Sequence, residues 1–195
     1  MDNTIPPPVS PANKNIQVPN NPIAIKYGLI SAFAGFTFTI IGFITDTDPA
    51  MPDTATGIKI GYGLFGFVLG LAITMLGIKE YRTQLGGHIT FAQALILAIK
   101  IGVVAGIASI ALSALYFFVI NPGYVDAIKA GVMAEWERQN MSEAQMEQAM
   151  GMMGFMFNPW FTILSGAFGS VMIGLIYGLI GGLILKKEPP YQRPA

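Results

Sequence analysis

Four apolar runs without a charged residue dominate the chain, at about 27–45, 60–78, 101–120 and 161–185. A bilayer core about 30 Å thick takes about 20 helical residues at 1.5 Å each, and every run is that long or nearly so. The intervals between them differ in character. Residues 46–59 form a short acidic stretch rich in Pro and Thr, and residues 79–88 a compact basic connector ending in Gly86 and Gly87 before His88. Residues 121–160 are long, charged and too polar to span. The pattern predicts an all-α integral membrane protein, a four-helix bundle.

Inside that long interval the apolar positions return at helical spacing. They are Val125, Ile128, Val132 and Trp136, then Met146, Ala149, Met150 and Met153, with a break near Asn140. Ser142 followed by Gln145 fits the capping box that starts a helix. Residues 124–153 therefore read as an extracytoplasmic pair of amphipathic helices between spans three and four, with a turn at Gln139 and Asn140. Their apolar stripes are expected to lie on the bilayer, on the bundle or on a partner.

The ends of the chain are polar. Residues 1–22 hold six prolines among Asn, Ser and Thr, and such a stretch reads as a disordered cytoplasmic tail. It lacks the basic and apolar regions of a signal peptide. Residues 23–187 make the transmembrane domain and 188–195 a short second tail. Basic residues set the orientation. Lys14, Lys26, Lys79, Arg82, Lys186, Lys187 and Arg193 fall on one side, against Lys59, Lys129 and Arg138 on the other, with Lys100 between. The positive-inside rule then puts both termini in the cytoplasm, and the location expected is the cell inner membrane.

Composition narrows the function. Only 11% of residues are charged and the net charge is zero, against about 25% charged in a soluble domain. That balance offers nothing to nucleic acid. Cysteine is absent and histidine occurs once, so thiolate metal sites, a Cys nucleophile and a His cage within one chain are excluded. No HExxH, GxSxG, phosphate loop or intramembrane carboxylate pair is present. Asp46, Asp48 and Asp53 lack the remaining positions of a calcium loop. The expectation is a protein without a cofactor and not an enzyme.

Small residues mark where helices approach in lipid. The last span carries Gly166, Ser170, Gly174, Gly178 and Gly182 at a strict spacing of four, the second Gly57, Gly61, Gly66 and Gly70, and the third Ala98, Gly102 and Gly106. Such ribbons serve tight packing, within the chain or between copies, or a moving contact or pore. Lys100 is an intramembrane charge, a functional signal by default. Its helical position puts it opposite the small-residue face, so it is expected to point toward lipid and snorkel to the headgroups, with residues 89–99 a partly interfacial lead-in.

Seven methionines (Met133, Met141, Met146, Met150, Met152, Met153 and Met156) crowd the outer segment. Thioethers suit Cu(I), but methionine also fills adaptable apolar faces, and no Cys or His accompanies it here. Trp136, Met146, Met150 and Met153 are the candidate partner-binding residues.

Seven segments carry a resemblance: KYGL at 26–29, GIKEYR at 77–82, LGGHITFAQAL at 85–95, NPGYVDAIKA at 121–130, MSEAQMEQAM at 141–150, FNPWF at 157–161 and LKK at 185–187. Their order resembles a bacterial family of small four-pass membrane proteins catalogued as a domain of unknown function, over about residues 23–187. The resemblance implies an inner-membrane location and four helices, and brings no activity or catalytic residue. The function expected is an accessory protein whose outer helices engage a partner. The alternative is a small carrier or channel subunit. Bilayer lipid, a protein partner and self-association are the expected contacts.

Overall fold

In a computed structural model the described residues, 18–187, are helical nearly throughout. Four long helices, α1 (Asn21–Ile44), α2 (Thr56–Gln84), α3 (Phe91–Leu115) and α6 (Pro159–Leu185), are each long and apolar enough to cross a bilayer. A π turn, Tyr116–Ile120, prolongs α3. Two short helices, α4 (Tyr124–Arg138) and α5 (Glu143–Met153), and a 3-10 turn, Gly154–Phe157, join it to α6.

The helices outrun the apolar runs that mark them. The 29 residues of α2 extend about 44 Å. The largest shift is in α3, which begins at Phe91 behind a capping box in which Thr90 accepts from the Gln93 amide and the Gln93 side chain accepts from Thr90. Residues 91–99, read as a lead-in, are the first turns of α3 itself. Ala94, Leu97 and Ala98 are wholly buried, because this part of α3 packs against the ends of α2 and α6.

Two ends can be distinguished. At the terminal end Ile89 and Lys187 exchange backbone hydrogen bonds of 2.9 Å, and Tyr81 donates to the Val18 carbonyl at 3.1 Å. The connector here turns through Gly86 and Gly87 at φ 77° and 90°, values that side chains resist. The opposite, distal end carries the 45–55 loop, α4 and α5. At α4 and α5 the chain reverses through Asn140 at φ 57°, and Ser142 and Gln145 close the anticipated capping box.

α3 and α6 form the principal seam. A Cβ on Gly102 would stand 2.7 Å from the Ser170 carbonyl, and one on Gly106 2.7 Å from that of Ala167. Gly174, Gly178 and Gly182 meet Gly102, Ala98 and Phe91 in turn. A spacing of four drifts about 40° per step around a helix, so five such residues cannot share one face. The terminal three of the ribbon and the Ser170 backbone pack closely. A Cβ on Gly166 would meet nothing within 4 Å.

The packed core lies at the terminal half, where Ile23, Ala24, Ile78, Tyr81, Ile89, Leu97 and Ile101 cluster. The distal half is hollow.

Candidate functional site

The hollow is a chamber of about 600 Å³ among α1, α2, α3 and α6. Its floor is Ile73, Thr74, Ile101 and Tyr177, and its roof Tyr116, Phe117 and Tyr124. The floor is built by a size match. Tyr177 of α6 sits on Gly70 of α2, where a Cβ would lie 2.6 Å from the tyrosine hydroxyl. The Phe67 and Tyr177 rings meet edge to face at 5.2 Å beside it. Above this point the helices separate. Gly66 and Gly166 both line the chamber and are exposed, and neither has an atom within 4 Å of its would-be Cβ.

The lining is neutral but not apolar. None of its residues is Asp, Glu, Lys, Arg or His. Hydroxyls supply the polarity: Ser31, Thr39, Thr74, Ser109, Ser113 and Ser170, with Tyr62, Tyr116, Tyr124 and Tyr177. Thr39, Thr74, Ser109 and Ser170 each donate to a carbonyl three or four residues back on their own helix, the usual local solution in lipid. Their oxygens keep lone pairs for a guest. Ser31, Ser113 and Tyr177 have no hydrogen-bond partner among the described residues, so they can both donate and accept inside the chamber.

The roof is a small polar lock. Asp48, in the loop after α1, is 8% exposed. It accepts from the Ala50 amide at 2.8 Å and from the Tyr124 hydroxyl at 3.4 Å, and its carbonyl accepts from Thr54 at 2.6 Å. The Tyr124 and Phe117 rings stack at 5.2 Å and Tyr116 meets Tyr124 edge to face. Burial, and then the nearby Asp48 carboxylate, push the Tyr124 phenol far above its ordinary range, so it stays a neutral donor. The widened π turn aims Tyr116 and Phe117 at this place. A second contact fixes the loop from outside, where Pro52 fills the notch at Gly131 of α4.

The terminal end is closed by charge. Glu80 accepts from Lys26 at 2.7 Å and from Tyr27 at 2.8 Å. Arg82 donates to the Leu185 carbonyl at 3.3 Å. Lys100 leans toward its helix N-terminus as expected, and there its ammonium donates to the Asn20 and Asn21 amide oxygens at 2.7 and 2.8 Å. It holds the start of α1 and does not line the chamber.

The sequence-derived candidates scatter. Gly66, Gly70 and Gly166 border the chamber, Gly102, Ser170 and Gly174 both border it and pack the seam, and Gly106, Gly178 and Gly182 pack the seam alone. Trp136, Met146 and Met150 are half-buried at the distal end, and Met153 is exposed. Tyr62, Tyr116, Tyr124 and Tyr177 were not singled out by spacing, and Asp48 was weighed only as part of an incomplete calcium loop. The available signal was weak: one tyrosine set in a glycine ribbon, and Ser109 and Ser113 one turn apart on the small-residue face.

These features define a multi-pass membrane protein with a hydroxyl-lined chamber between its spans. Over residues 26–187 the chain matches the family described as Protein of unknown function (DUF4199), and it belongs to that family. No curated protein and no solved structure matches it.

Proposed function

We propose that the protein binds a neutral amphiphile in the chamber and acts as a small carrier for it, the alternative role already raised by the sequence. The observation that carries this reading is the lining itself: about 600 Å³ bordered by hydroxyls and glycine with no charged side chain. Ligand pockets are typically about 300–1,000 Å³. A charged guest would be costly without a counter-charge. A guest with an apolar body and one or two hydroxyl or carbonyl groups would find Ser31, Ser113 and Tyr177 ready to bond it. The exposed Gly66 and Gly166 mark where it would enter between α2 and α6, from the bilayer. We read the protein as non-catalytic, because the Asp48 carboxylate beside Tyr124 is engaged by that hydroxyl and by the Ala50 amide.

In this proposal the protein resides in a bacterial inner membrane with the terminal end cytoplasmic. The seven-to-three division of basic residues supports that orientation. A second reading, an accessory protein that docks a partner on the distal helices, rests on Met153 more than on Trp136, Met146 or Met150, since Met153 is exposed.

Mass spectrometry of small molecules co-purifying in mild detergent tests the carrier reading, with Ser113→Leu as the filled-chamber comparison. A recurrent neutral amphiphile is expected with the wild type and lost from Ser113→Leu. Identical profiles from both would refute a chamber ligand. Photocrosslinking from Met153 with recovery of one partner would favour the second reading.

A further inference from the structure

Residues 148–185 contain no Asp, Glu, Lys or Arg. α6 takes only Pro159–Leu185 of that stretch. The part before it, residues 148–158, forms the end of α5 and the 3-10 turn at the distal end. This part is apolar and bare: Met152, Phe155 and Met156 are 70%, 59% and 45% exposed. Large apolar side chains grouped in this way mark a contact surface.

The patch does not stand alone. Phe155 meets Phe161 edge to face at 4.9 Å, and Trp160 meets Phe118 at 5.4 Å. Phe161, Leu164 and Phe168 continue it down the exposed flank of α6, which in a spanning helix faces lipid. The charges of α5, Glu143 and Glu147, lie toward its other end and are exposed. α5 thus offers a wet beginning and an apolar finish.

We infer that the end of α5 and the turn Gly154–Phe157 are seated in the bilayer interface, with Met152, Phe155 and Met156 in the headgroup and acyl boundary of the distal leaflet. Continuity with the lipid-facing flank of α6 selects lipid as the occupant, since a protein partner would have to displace lipid from that flank. Apolar residues in this position typically reach about 5–10 Å into the boundary. The segment then anchors the distal helices beside the chamber roof.

The chain has no cysteine, so single spin labels at Met152→Cys and Met156→Cys can be compared with Glu147→Cys and Gln139→Cys in phosphatidylcholine vesicles. Labels at 152 and 156 are expected to collide with oxygen in preference to an aqueous nickel chelate, and labels at 139 and 147 with nickel. Nickel preference at 152 and 156 would overturn the inference. Shielding from both reagents would overturn it too, by indicating a protein or second copy on the patch. Carbene labelling of the unsubstituted protein from a diazirine in the lipid acyl chain gives an independent reading. Label within residues 152–157 is expected, and label confined to Phe161 onward would contradict it.

Discussion

Tyr177 of α6 rests on Gly70 of α2 so closely that a Cβ on the glycine would stand 2.6 Å from the phenol oxygen and 2.8 Å from the ring. This contact is where the bundle changes from packed to hollow. Below it lie Ile78 against Gly181 and the buried core, and above it the chamber. Gly70→Val should push the ring aside, at an overpacking cost of about 1–3 kcal/mol. Thermal unfolding in detergent measures the loss, and unchanged stability would show that the ring moves freely.

The α3–α6 seam should be less forgiving. Gly102→Leu and Gly174→Leu press side chains onto backbone at 2.7–3.0 Å, whereas Gly61→Leu meets nothing within 4 Å. Backbone cannot rotate away as a side chain can, so loss of the folded state is expected for the first two and near-neutral stability for the third. Equal effects at all three positions would contradict the seam.

Tyr124 makes the roof sensitive to alkali. Its phenol is raised, first by burial and then by Asp48, so the folded state holds a proton that the unfolded chain releases near the ordinary value of about 10. The contribution is therefore complete below pH 10 and declines as pH rises toward the folded value. Stability should fall as pH rises above about 10, and Tyr124→Phe should flatten part of that fall. Coincident pH curves for the two proteins would deny Tyr124 this role.

Lys100→Met should act locally. It removes the ammonium that bonds Asn20 and Asn21, so the first turn of α1 should exchange amide hydrogens faster while the α3–α6 seam keeps its protection. A change in chamber ligand instead would make Lys100 part of the site.

Much of the fold was legible because membrane physics leaves few choices. Four uncharged runs, the 142–145 capping box and the reversal at Asn140 all followed from spacing. The start of α3 did not, because Lys100 interrupts the apolar run and hides the nine helical residues before it, Phe91 to Ile99. The packing glycines were visible as a class, but their division into seam and chamber depends on drift around α6 and on the separation of α2, which no single helix reveals. The chamber was least legible of all. Its hydroxyls come from five helices and the π turn and appear in sequence as isolated Ser, Thr and Tyr, and Asp48 looks like one acid of a solvated turn until the loop folds it under Tyr124.

The central claim is that a neutral amphiphile occupies the chamber. A photoactivatable monoacylglycerol, incorporated in vesicles with the full chain and mapped by mass spectrometry after illumination, tests it most directly. The account predicts label on Ser109, Ser113, Tyr116 and Tyr177, displaced by excess unlabelled monoacylglycerol. Label spread without displacement over the exposed Leu64, Val68, Leu164 and Phe168 would show only bilayer contact and contradict the claim.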